Sequence, residues 1–155
     1  MPTQYAIEEV FEMAIQLERN GEAFYTAAAK HSRQPQARKL LLEFAQWEQN
    51  HEKLFTQMRD DLLDTDYVDQ GGQAAAYLQA SVAGEVFQLH DKAMQALTGQ
   101  ATLALIIDMA IAMEKEAILF YAGLRDVVAR GQDKIDEIIA EERRHIQILT
   151  DLTSL

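Results

Sequence analysis

Four segments of this chain carry apolar residues at alternating steps of three and four, and in each the stripe is interrupted at one level by glutamate, or by glutamate with histidine. The first stripe runs Ile7, Phe11, Ala14, Glu18, Gly21, Tyr25, Ala28, and the second Ala37, Leu41, Phe44, Glu48, His51, Phe55, Met58, Leu62. The third is Leu103, Ile107, Ala110, Glu114, Ala117, Tyr121, Leu124, Val128, and the fourth Ile135, Ile138, Glu142, His145, Leu149, Leu152. This spacing lines one face of an α-helix. Four such helices bury their stripes by packing on one another, and must then bury the acids as well.

Breakers are few. The prolines are Pro2 and Pro35, and the glycines leave long runs of good helix formers intact. Helices are expected over about 3–31, with Thr3 as N-cap, then 35–64 after the Ser32–Pro35 turn, 100–130, ended by Gly131, and 132–153. The crossover over 65–99 holds two short helical stretches, near Ala74–Val82 and Gly84–Leu97. A helix of about 30 residues is roughly 45 Å long. A connection of that length suits a chain that travels the whole bundle before the third helix begins, so the expected order is up, down, down, up. The predicted architecture is one all-α domain over 1–155. Its halves also repeat: Glu18 and Tyr25 recur as Glu114 and Tyr121 (114 − 18 = 96), and Glu48-x-x-His51 recurs as Glu142-x-x-His145 (142 − 48 = 94).

Residues three apart share a helix face, so each Glu-x-x-His pair can present an oxygen and a nitrogen to one point. Hairpin register brings Glu18 opposite Glu48, and Glu114 nearly opposite Glu142. An isolated buried carboxylate costs several kcal/mol, which a solvated face would never incur and a metal site repays. Charge supports two divalent ions: Glu18, Glu48, Glu114 and Glu142 contribute −4, neutral His51 and His145 contribute nothing, and two M²⁺ contribute +4. Oxygen-rich ligation with one imidazole per metal suits iron or manganese better than zinc, although zinc is not excluded. A purely structural polar layer is the competing reading.

Composition narrows the partners. With 14 Lys+Arg against 25 Asp+Glu the net charge is −11, which argues against nucleic acid and anionic lipid. The zero cysteines remove thiolate metal sites and disulfides. Asp108 interrupts the longest apolar run, so no membrane span is expected, and the N-terminus lacks a basic leader. A cytoplasmic protein is expected.

On Glu18, Glu48-x-x-His51, Glu114 and Glu142-x-x-His145, the chain resembles the ferritin-like di-iron carboxylate superfamily, most closely its rubrerythrin-type branch. The resemblance implies two irons. Glu18 and His51 would be terminal ligands of one, Glu114 and His145 of the other, and Glu48 and Glu142 would bridge them. Tyr25 and Tyr121 follow the terminal glutamates by seven residues, where the family often has a tyrosine near the ligands; an ordinary core tyrosine is the equal alternative. Glu141 resembles a family acid that orients a histidine, and a solvent-facing acid is again the alternative. Trp47, in the corresponding place before Glu48, departs from that pattern and reads as packing. His31 and His90 read as turn or surface histidines, and Glu22 and Glu116 as solvated acids.

Other departures shape the functional expectation. Lacking cysteines, the chain has no rubredoxin-like domain, so electrons must come from a separate donor, such as a rubredoxin-like protein or reductase. Many peroxidase members carry a further glutamate where this chain has Ala117. Only ten residues follow His145, so the fifth helix of cage-forming ferritins is not expected. The resemblance implies an oxidoreductase that reacts with O₂ or H₂O₂, as a homodimer. Ferroxidation for iron storage or delivery is the alternative from another class, and an inert interaction bundle the third.

Overall fold

The computed structural model describes residues 4–62, Leu78, 83–99 and 101–153. Five helices account for them: α1 (Gln4–His31), α2 (Pro35–Asp60), α3 (Ala83–Leu97), α4 (Leu103–Val127) and α5 (Gln132–Leu152). Among the described residues there is no strand. The stretch proposed near Ala74–Val82 lies outside the described residues, Leu78 excepted.

The helix ends follow local chemistry and correct three expected boundaries. Pro35 occupies the first turn of α2, where its missing N–H costs nothing. That helix stops at Asp60 rather than Asp64, as the Asp61 N–H bonds Gln57 O and the Leu62 N–H tightens onto Arg59 O. Two successive acids at the negative end of the helix dipole oppose further growth. The next long helix starts at Leu103 rather than residue 100, because the Thr102 side chain caps the Leu105 N–H at 3.2 Å. It ends at Val127 rather than residue 130. Val128 turns extended (φ −84°, ψ 145°), its carbonyl taken by the Gln132 side chain at 2.6 Å. Gly131 then adopts φ +89°, a left-handed conformation that only glycine takes without strain, and admits the start of α5.

Cross-helix bonds fix the directions. Arg19 pairs with Glu52 and Arg59 with Glu12, so α1 and α2 are antiparallel. Tyr25 meets Glu114 and Tyr121 meets Glu18, which makes α1 and α4 antiparallel. Arg125 with Asp136 and Glu114 with His145 set α4 against α5 in the same way. The bundle therefore runs up, down, down, up. The crossover helix α3 packs on α1 and α4, leaving the seam between α2 and α5 as a groove.

Every stripe residue of α1 and α5 is buried. The apolar core is nonetheless split in two. One cluster contains Ile7, Phe11, Phe55, Phe120, Leu124 and Ile135, and the other Phe24, Leu41, Phe44, Ile107 and Leu149. On each of the four long helices, the acid-bearing level lies between the residues of these clusters. Hydrocarbon thus closes both ends of a polar layer.

Candidate metal centre

Glu18, Glu48, His51, Glu114, Glu142 and His145 make up that layer, and all six are buried. They form two groups of four. Glu18, Glu48, His51 and Glu142 offer ligand atoms all within 4.8 Å of one another, and so do Glu48, Glu114, Glu142 and His145. Glu48 and Glu142 belong to both groups. These two groups bring together all six residues that the sequence singled out.

Both imidazoles turn Nδ1 inward. His51 Nδ1 is 2.9 Å from Glu142 and 3.6 Å from Glu18; His145 Nδ1 is 3.1 Å from Glu142, 3.5 Å from Glu114 and 3.8 Å from Glu48. Gly21 makes room for the layer, since a Cβ there would collide with the Glu48 carboxylate. The phenols cross the bundle reciprocally: Tyr25 donates to Glu114 at 2.6 Å and Tyr121 donates to Glu18. Glu141 lies at the rim, 2.6 Å from His51 Nε2. Trp47 stacks on the His145 ring, with centroids 4.8 Å apart and planes 14° apart.

Without bound cations the layer would hold protons in their place. Burial pushes Glu48 well above the carboxylate range, reinforced by the charges of Glu18, Glu142 and Glu114. Burial likewise raises Glu142 to about 8, helped by Glu114. Glu114 is held below its ordinary value: burial would raise it, but hydrogen bonds with Glu142, His145 and Tyr25 prevail. Burial lowers the imidazoles, yet the carboxylates outweigh it, lifting His51 to about 12 through Glu142 and Glu18, and His145 to about 9 through Glu114 and Glu142. Burial and the same carboxylates keep both tyrosines protonated. Protons on His51, His145, Glu48 and Glu142 cancel four carboxylates, −4 + 4 = 0, as two divalent ions would.

The donor set fits such ions. Glu18 Oε2, Glu48 Oε1, Glu142 Oε1 and His51 Nδ1 are buried and make no hydrogen bond of good geometry, although His51 Nδ1 stands 2.9 Å from Glu142 Oε1. Buried polar atoms are rarely left so, and four in one layer mark a place built for a bound species. Carboxylates with imidazole nitrogen are ligands for borderline and hard divalent metals.

The remaining sequence candidates fall outside this layer. His31 is exposed at the end of α1. Glu22 is half-buried and accepts from Gln49, and Glu116 is half-buried. His90 differs from its reading as a turn or surface histidine. It lines a cavity of about 20 Å³ with Glu48, Glu114, Tyr25, Tyr121 and Ala117, and its buried Nδ1 has no partner. It shares a face of α3 with Ala93 and Leu97, a three-then-four spacing that signals a packed side.

A four-helix bundle of this direction order, closed around carboxylates and Glu-x-x-His pairs, defines the ferritin-like class. Within it, the chain belongs to the rubrerythrin family, whose model matches residues 9–97, more than half of its length. A candidate ferritin-like diiron-carboxylate protein from Thermotoga maritima has a similar structure, with a TM-score of 0.71 at 24% identity over 94% of this chain and 93% of that one. At that identity the likeness concerns the fold. No curated protein matched. Among the described residues, no helix is long and apolar enough to cross a membrane.

Proposed function

We propose that the chain is a di-iron carboxylate redox enzyme that reacts with O₂ or H₂O₂ and is re-reduced by a separate donor. The observation that carries this reading is the convergence of six buried carboxylate and imidazole side chains into two groups sharing Glu48 and Glu142. Two reduced irons in the layer would together supply the two electrons that peroxide reduction requires. Glu18 with His51, and Glu114 with His145, would hold one metal each, and Glu48 and Glu142 would bridge.

The protein's own groups prepare the site. Tyr25 and Tyr121 keep their protons and fix the orientation of the terminal carboxylates. The apolar clusters exclude bulk water, while the cavity under α3 admits only a very small molecule. These 155 residues contain no cysteine to hold a rubredoxin-type iron, and a rubredoxin-like protein or reductase is the proposed electron donor. A homodimer in the cytoplasm is the proposed setting. Ala117, standing where a further acid would complete a peroxidase-type set, favours iron oxidation for storage or delivery as the second reading.

Anaerobic iron loading followed by stoichiometric H₂O₂ separates these readings. The proposal expects peroxide consumption that recurs after each re-reduction and is lost in Glu48→Ala and His145→Ala. A single oxidation followed by iron release or accumulation would favour iron handling. No difference between wild type and these variants would refute both.

A further inference from the structure

The layer is nearly twofold symmetric in its ligands but not in what backs its histidines. The residue before Glu142 is Glu141, whose Oε2 lies 2.6 Å from His51 Nε2. The residue before Glu48 is Trp47, whose indole stacks on His145 at 4.8 Å, while Phe44 meets the same imidazole edge-on at 5.1 Å. Among the described residues, no acceptor bonds His145 Nε2.

A carboxylate accepts hydrogen bonds, so the His51 Nε2–H donates to Glu141. That bond fixes the ring orientation, presents Nδ1 to Glu18 and Glu142, and strengthens the imidazole as an electron donor. Arg144 approaches the other Glu141 oxygen at 3.9 Å and helps hold the acid at the rim of the groove. Stacking on Trp47 restrains the His145 plane but selects neither nitrogen as the ligand.

We infer that the two metal positions are inequivalent, the Glu18–Glu48–His51–Glu142 position filling first because Glu141 orients His51, and the Glu48–Glu114–Glu142–His145 position, backed by Trp47, binding more loosely. This rests on the two-metal reading of the layer. Glu141 and Trp47 act through the histidines, as positioning residues. Both imidazoles, together with Trp47 and Glu141, line the groove between α2 and α5.

Trp47 is the single tryptophan of the chain, so its fluorescence reports on the His145 side. The test is a Co²⁺ titration of the metal-free protein, followed by calorimetry and by Trp47 emission. Two calorimetric steps are expected, separated by at least tenfold, with the main emission change on the second. Glu141→Gln should weaken the first step by 10- to 100-fold, the usual effect of losing such a partner, and leave the emission-reported step in place. Trp47→Leu, read by calorimetry alone, should disturb only the second step. Two equal steps in wild type, or a Glu141→Gln effect confined to the emission-reported step, would overturn the inference while leaving the two-metal reading intact. Fewer than two Co²⁺ per chain would overturn that reading as well.

Discussion

Tyr25 on α1 donates its phenolic hydrogen to Glu114 on α4, 2.6 Å away and 89 residues along the chain. Tyr121 returns the same bond from α4 to Glu18. These reciprocal bonds tie the two halves of the bundle together at the acid-bearing level. Each gives a buried carboxylate a donor that burial and neighbouring negative charge keep protonated.

Replacing Tyr25 by Phe removes that donor with almost no change in volume. A buried acceptor left unsatisfied costs about 1–3 kcal/mol, so urea unfolding of metal-free Tyr25→Phe should show a loss of that size, and Tyr121→Phe a similar one. A change within about 0.5 kcal/mol, the range of ordinary surface substitutions, would mean that the bonds do not carry the assigned load.

Stability of the metal-free protein should fall as pH rises. Glu142, at about 8, is above its ordinary 4.5, and His145, at about 9, is above 6.5. Both groups therefore bind protons more tightly in the folded state. The stabilisation they confer is complete below the unfolded values and is lost as pH climbs through about 8 and then 9. Thermal melts of metal-free protein across this range should show a declining Tm. A Tm that rose toward alkaline pH would contradict the proton-filled layer.

Metal uptake should show the opposite trend. Filling the layer displaces protons from His51, His145, Glu48 and Glu142, so affinity for a divalent ion should increase with pH. Titration with Zn²⁺ in weakly buffered solution should acidify the medium. No proton release on binding would place the ions elsewhere.

Gly21→Ala separates helix propensity from metal binding. Alanine favours a helix interior by up to about 1 kcal/mol over glycine, but its Cβ would displace the Glu48 carboxylate. The rise in Tm produced by metal should therefore be smaller than in wild type, even if metal-free Gly21→Ala melts no lower. An undiminished rise would show that Glu48 is not a ligand.

Much of this was legible in the chain because each long helix buries a single stripe. Glu18, Glu114 and the two Glu-x-x-His pairs break apolar periodicity at one level, and periodicity determines which residues share a face. The helix ends were less legible. They depend on single bonds, such as the Thr102 cap and the Gln132 side chain on Val128 O, which a stripe does not encode. The identity of His90 gives no hint that α3 lies across α1 and α4, whereas its three-then-four spacing to the buried Ala93 and Leu97 marks the packed face. The contrast between Glu141 and Trp47 was visible as a difference in residue type, but only the bundle reveals which histidine each one touches.

The most direct measurement is anomalous diffraction from crystals of the iron-loaded protein. Two peaks per chain about 3.5–4 Å apart, in the range of two-metal sites, and flanked by Glu48 and Glu142, are the predicted result. A layer that remains without metal at saturating iron, with the irons bound at surface acids instead, would contradict the account.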